Sequence, residues 1–206
     1  MTAQNFSRLL WGLLVTTLIV VLGISARQWL QPKTEPLPVL ATVPDFSFTE
    51  RSGEPFGLEE LRGHIWLADF IFTNCAGTCP IMTSQMNALQ TAFAQEKLDV
   101  RLVSFTVDPE RDTPEVLRRF AEGYGAEQER WFFITGPGEQ MQKLAKEGFL
   151  LAAATGGDGE EAIIHSNRFV LVDRAGRIRK YYDGTAENIN QEILRDLKAL
   201  FEEKES

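Results

Sequence analysis

Ile65-Trp66-Leu67-Ala68-Asp69-Phe70-Ile71-Phe72-Thr73-Asn74-Cys75-Ala76-Gly77-Thr78-Cys79-Pro80 decides the fold. An apolar run with a single acid in it, closed by a short polar loop, is the pattern of a strand buried on both faces. Pro80 then suits the first helical position, where its missing amide proton costs nothing, and it opens a helical pattern from Ile81 to Phe93. Cys75 and Cys79 are the only cysteines in the chain. Two sulfurs at i and i+4 can close a disulfide, hold a soft metal ion, or do both. Between the carboxyl end of a strand and the start of a helix, the amide dipoles favour anions, and the thiolate is the form that attacks and the form that binds metal. The spacer is one residue longer than in the CxxC pair usual for thiol exchange, which widens the chelate.

Outward from this unit, Val100 to Val107 reads as a second buried strand and Thr113-Pro114-Glu115 as the start of a helix, with threonine at the N-cap and proline at N1. Trp131-Phe132-Phe133-Ile134 is a third strand, Glu139 to Lys146 a helix, and Ala152 to Glu161 a Gly-rich loop. Phe169 to Val172 and Ile178 to Tyr182 flank Asp173-Arg174-Ala175-Gly176, a hairpin turn signal, and Ile189 to Phe201 is a closing amphipathic helix. Upstream, Phe46-Ser47-Phe48-Thr49 alternates and Arg51 to Glu54 turns, a small amino-terminal hairpin. The order predicts an α/β fold of three layers: a central mixed sheet with helices on both faces and an amino-terminal β-hairpin extension.

Leu9 to Ala26 is an uncharged stretch of 18 residues, about 27 Å as a helix and close to the thickness of a bilayer core. It reads as a transmembrane anchor, with a cleaved signal ending near Gly23-Ile24-Ser25 as the alternative. The expected division is a cytoplasmic segment 1–8, an anchor 9–26, a Pro-rich tether 27–43 and a folded domain 44–206. All 29 acidic residues but only 18 of the 21 basic ones lie beyond Lys33, so the domain is strongly acidic and is no nucleic-acid binder. A large acidic domain after one amino-terminal span is expected on the extracytoplasmic side, the periplasmic face of the inner membrane if the source is bacterial. Two cysteines are too few to staple a chain this apolar, so the pair reads as reactive, not structural.

Other donors are few. The chain has two histidines: His64, at a strand entrance, reads as structural, whereas His165 opens the strand after the Gly-rich loop. In a sheet of this order that entrance faces the cysteine loop. Thioredoxin-type enzymes place a cis-proline there, and no proline follows Pro137 in this chain. Two thiolates and one imidazole would suit Cu(I) and leave it open to an incoming ligand. Asp69, inside a buried strand, must be paired or protonated, and is either a group behind the site or a hydrogen-bonded structural acid. Asp108 ends a strand beside the site, Asp112 and Thr113 start a helix, and Met82 and Met86 read as core.

These residues resemble the Sco/SenC family of membrane-anchored copper proteins with a thioredoxin-like fold, through the amino-terminal span, Cys75 to Pro80, Val107 to Pro114, His165 and the Arg177 to Gly184 hairpin. The resemblance implies a thioredoxin-like domain at 44–206 binding copper, as Cu(I), Cu(II) or both, through Cys75, Cys79 and His165. It implies copper delivery to the dinuclear site of a respiratory oxidase subunit or another copper protein, or thiol reduction at such a site. Apart from the resemblance, an alternative of a different class is an enzyme, a thiol-disulfide oxidoreductase or peroxiredoxin-like reductase with Cys75 and Cys79 as the catalytic pair, one attacking and the other resolving. Two positions depart from the family pattern: Ile164 stands where an aspartate commonly precedes the histidine, and the often acidic spacer is Ala76-Gly77-Thr78. Both remove negative charge from the metal's surroundings.

Overall fold

A computed structural model describes residues 11–18, 20–23, 36–151 and 166–203. The chain forms two units, Met1–Glu35 and Pro36–Ser206. In the first, residues 11–18 and 20–23 are helical. Among the described residues no helix is long and apolar enough to cross a membrane. The expected cytoplasmic segment 1–8, parts of the anchor 9–26 and of the tether 27–43, the Gly-rich loop and His165 lie outside the described residues.

The second unit is built on an eight-stranded mixed sheet, order β1-β8-β7-β4-β5-β6-β2-β3. The strands are β1 (Ala41–Thr42), β2 (Ser47–Glu50), β3 (Pro55–Gly57), β4 (Ile65–Ile71), β5 (Val100–Thr106), β6 (Trp131–Thr135), β7 (Arg168–Val172) and β8 (Arg177–Asp183). Helices α1 (Cys79–Gln95), α2 (Pro114–Gly123), α3 (Gly138–Lys143) and α4 (Ile189–Glu202) lie between and after them. β4, β5 and β6 run parallel, and every other pairing is antiparallel. All seven residues of β4 are buried, and their alternation divides the core into two layers. Ile65, Leu67 and Ile71 pack with α1, α2 and α4, whereas Trp66, Ala68 and Phe70 pack with α3, the hairpin and Phe149. The mixed sheet between two helical layers is the architecture expected.

The amino-terminal hairpin is part of the main sheet. β2 pairs with β6, Thr49 opposite Thr135 and Glu50 opposite Ile134, a long-range match that local alternation does not carry. The helix expected over Glu139 to Lys146 is α-helical only to Lys143, and a π-turn over Leu144–Gly148 follows. A Cβ on Gly148 would stand 2.8 Å from Leu144 and 3.0 Å from Pro44, so the wide turn seats the backbone against Pro44. It also delivers Phe149 among Trp66, Phe70 and Phe105, with ring centroids 5.1 to 5.9 Å apart. The β7–β8 turn is held by Asp173, whose carboxylate accepts the amides of Ala175 and Arg177, and by Gly176 at φ 76°, where a side chain would be strained.

Candidate functional site

The cysteine loop begins where the β4–β5 ladder ends. Ile71 pairs with Thr106, the amide of Val107 donates to the Ile71 carbonyl at 2.9 Å, and the two chain segments then part. Phe72, Thr73 and Asn74 carry the chain to Cys75, and α1 begins at Cys79, with Thr78 at its N-cap. The helix therefore starts one residue before Pro80, the first helical position expected, which puts one sulfur in its first turn and the other in the loop. Cys75 is half-buried, while Cys79 is only 5% exposed and packs in the core with Met82 and Met86, which are core residues as read.

Both sulfurs are free thiols, and they have opposite tendencies. Burial works against ionising Cys75, but hydrogen bonds from the Cys79 thiol and from the amides of Cys79, Gly77 and Thr78 prevail, and its pKa falls below the usual thiol value. The Gly77 amide donates to the Cys75 sulfur at 3.4 Å. The Cys79 thiol is pushed up to about 12, chiefly by burial, then by its bond to Cys75 and by the negative charge of Cys75 and Asp69. Iodoacetamide near neutral pH is accordingly expected to alkylate Cys75 at least about tenfold faster than Cys79, since the thiolate is the reacting form. Peptide mass spectrometry of a time course reads the ratio, and equal rates would contradict the asymmetry.

The sulfurs share a cleft of about 340 Å³ with Phe72, the spacer residues and Ser166. Ser166 is 4% exposed and its hydroxyl has no hydrogen-bond partner among the described residues. The chain immediately after His165 thus reaches the cysteines, although His165 and Ile164 are themselves outside the described residues. Among the described residues no group of three or more His, Cys, Asp or Glu side chains is placed to hold a metal ion. The two sulfurs, Cys75 and Cys79, are the groups the described residues bring together in this cleft.

Asp69 is fully buried, on the face of β4 that it shares with Leu67 and Ile71. Neither of its oxygens has a hydrogen-bond partner of good geometry. Burial raises its pKa to about 7, moderated by the nearby Ser104 hydroxyl and its own amide. Asp108 lies in the loop after β5, its carboxylate 3.0 Å from Arg111. His64, at the opposite end of β4, pairs with Asp99 at 3.1 Å.

Asp112 has a larger part than starting a helix. Thr113 is the cap of α2, accepting the Val116 amide at 3.4 Å. Asp112 turns inward, 1% exposed, and its carboxylate accepts the Thr73 amide at 3.1 Å and the hydroxyls of Thr73 and Thr106. Its carboxylate thus ties the loop that precedes Cys75 to the end of β5. An acid beside a capping threonine was the available signal, but its loop partner is 39 residues away.

The chain is similar to known proteins over most of its length. A family model described as SCO1/SenC matches residues 35–202. The chain is 39% identical over 163 residues to a "SCO1 protein homolog" of Bacillus subtilis, covering 79% of this chain and 84% of that one. It is 32% identical over 145 residues to a "putative copper-binding protein" of Stutzerimonas stutzeri, covering 69% and 70%. Its fold matches a solved structure of BsSco, described as having a disulfide switch and belonging to the Sco family of cytochrome c oxidase assembly proteins. That match has a TM-score of 0.71 at 35% identity, over 82% of this chain and 99% of that one.

Proposed function

The chain belongs to the SCO1/SenC family, and on that premise we propose that it is a copper carrier, in which Cys75 and Cys79 bind the ion as thiolates and His165 completes the set. The observation that carries this reading is the shared cleft: two free thiols and Ser166, the residue next to His165, line one opening. Two sulfurs and an imidazole suit copper, which the Stutzerimonas relative's name also mentions. With three donors the ion keeps an open position, so a partner's ligands can add before the carrier's depart. The recipient is the dinuclear copper site of a respiratory oxidase subunit, in keeping with the oxidase-assembly family of BsSco. Residues 9–26 anchor the chain in the membrane, 27–43 tether it, and a thioredoxin-like domain works on the extracytoplasmic side.

Cys75 and Cys79 must be reduced to bind metal, so their disulfide is an unloaded state. A second reading, thiol-disulfide exchange with a partner, is favoured by one specific observation, the low pKa of Cys75 beside the high one of Cys79. Copper titration of the reduced protein separates the two. Wild type is expected to bind one copper tightly with a thiolate-to-copper absorption band under Cu(II), and His165→Ala, Cys75→Ser and Cys79→Ser to lose at least about a hundredfold in affinity. Unchanged binding by His165→Ala, together with intact disulfide exchange, would leave the redox reading standing and remove the carrier.

A further inference from the structure

We propose that Asp112 is the positioning residue of the cysteine pair: it holds the loop bearing Cys75 in place relative to the helix bearing Cys79. Beyond the pairing of Ile71 with Thr106, and the Val107 amide on the Ile71 carbonyl, the two chain segments have no ladder between them. The Asp112 carboxylate replaces it. It receives three donors from the cysteine loop and the end of β5: the Thr73 amide and hydroxyl, two residues before Cys75, and the Thr106 hydroxyl. The Thr106 oxygen in turn accepts the Asp108 amide at 3.0 Å, and the Asp112 amide donates to the Asp108 carbonyl at 2.9 Å. The segment Thr106 to Asp112 is thereby closed on itself and fastened to the cysteine loop through one buried side chain. Capping of α2 does not need Asp112, because Thr113 performs it. A carboxylate that saturates both strands' exits acts on the sulfurs through the backbone of Thr73 and Asn74, and it does so whether the sulfurs bind metal or exchange disulfides.

The test uses no metal. In a glutathione redox buffer the Cys75 and Cys79 thiols form an S–S bond while oxidised glutathione takes up both protons and both electrons to give two reduced glutathiones. The equilibrium constant measures how well the fold presents one sulfur to the other. Asp112→Ala is expected to lower it about tenfold, equivalent to about 30 mV. Asp112→Asn keeps an acceptor for the Thr73 amide and the Thr106 hydroxyl, and is expected to stay within about threefold of wild type. Thr113→Ala removes the helix cap and lowers stability, yet is expected to leave the equilibrium within about twofold. A wild-type value for Asp112→Ala overturns the proposal. So does an equal shift in Thr113→Ala, which would mean that any local loosening suffices. If Asp112→Ala does not fold, Thr106→Val decides: a shift of about threefold in the same direction upholds the role, and no shift overturns it.

Discussion

Denaturant unfolding of wild type and Asp69→Asn across the range from about pH 4 to pH 8 is expected to show the wild type losing about 4 kcal/mol relative to the variant as pH rises. The cause is a carboxyl in the middle of β4 with no exposed surface and no well-placed hydrogen-bond partner on either oxygen. Burial raises its pKa from the ordinary 3.8 to about 7. The folded chain therefore holds this proton where the unfolded chain has released it. Folding is favoured in full below the unfolded pKa, and the advantage drains away as pH climbs through the folded one. The asparagine variant does not titrate at this position, so its stability curve lacks this slope. Parallel curves for the two proteins would show that Asp69 is ionised in the fold and paired after all. The charge that appears near neutral pH lies close enough to Cys79 to oppose its ionisation. One strand thus carries both the core and a source of potential under the site.

The second large effect concerns Arg179, whose replacement by alanine is expected to cost about 3–5 kcal/mol. It is 4% exposed. Its guanidinium lies 3.0 Å from Asp173 and 2.8 Å from Glu203, and it donates to the carbonyls of Leu37 and Pro38. Its removal takes a buried donor from acids and carbonyls in three separated parts of the chain, of which Asp173 alone keeps a second guanidinium, that of Arg177 at 2.8 Å. Such a buried cluster loses far more by deletion of one member than it contributes as a whole. Arg179→Met restores much of the packed volume but none of the charge, and is expected to recover less than half of the loss. Urea unfolding measures the stability, and limited proteolysis near Leu37 reports whether the segment before β1 comes loose. A variant as stable as wild type, with Leu37 still protected, would show that the cluster is dispensable.

The strand, loop and helix around the cysteines were legible because each carries a local mark: an unbroken apolar run, two cysteines, and a proline where a helix begins. The β7–β8 hairpin was legible for the same reason, since Asp173 and Gly176 are both demanded by the turn. What escaped depends on distant partners. The role of Asp112 is set by Thr73, and the Asp-Thr-Pro run around it reads equally well as a helix start. The pairing of β2 with β6 follows from the whole sheet, and the π-turn from Pro44, which is remote from Gly148 along the chain. Of the candidate site, the cysteines were plain from spacing, and the buried state of Asp69 followed from its apolar neighbours. His165 rests on the order of elements and on the position of Ser166, because spacing alone says little about a lone histidine.

The strand order has a bearing on how the sheet ends at its two margins. The sheet ends on one side in β1, two residues long, and on the other in β3, three residues long and begun by Pro55, which has no amide proton to offer. Neither margin presents a row of free donors and acceptors long enough to recruit a strand from another molecule. The two terminal strands are therefore poor templates for edge-to-edge pairing, whereas among the described residues β8 beyond Ile178 has an outer edge that β1 does not cover.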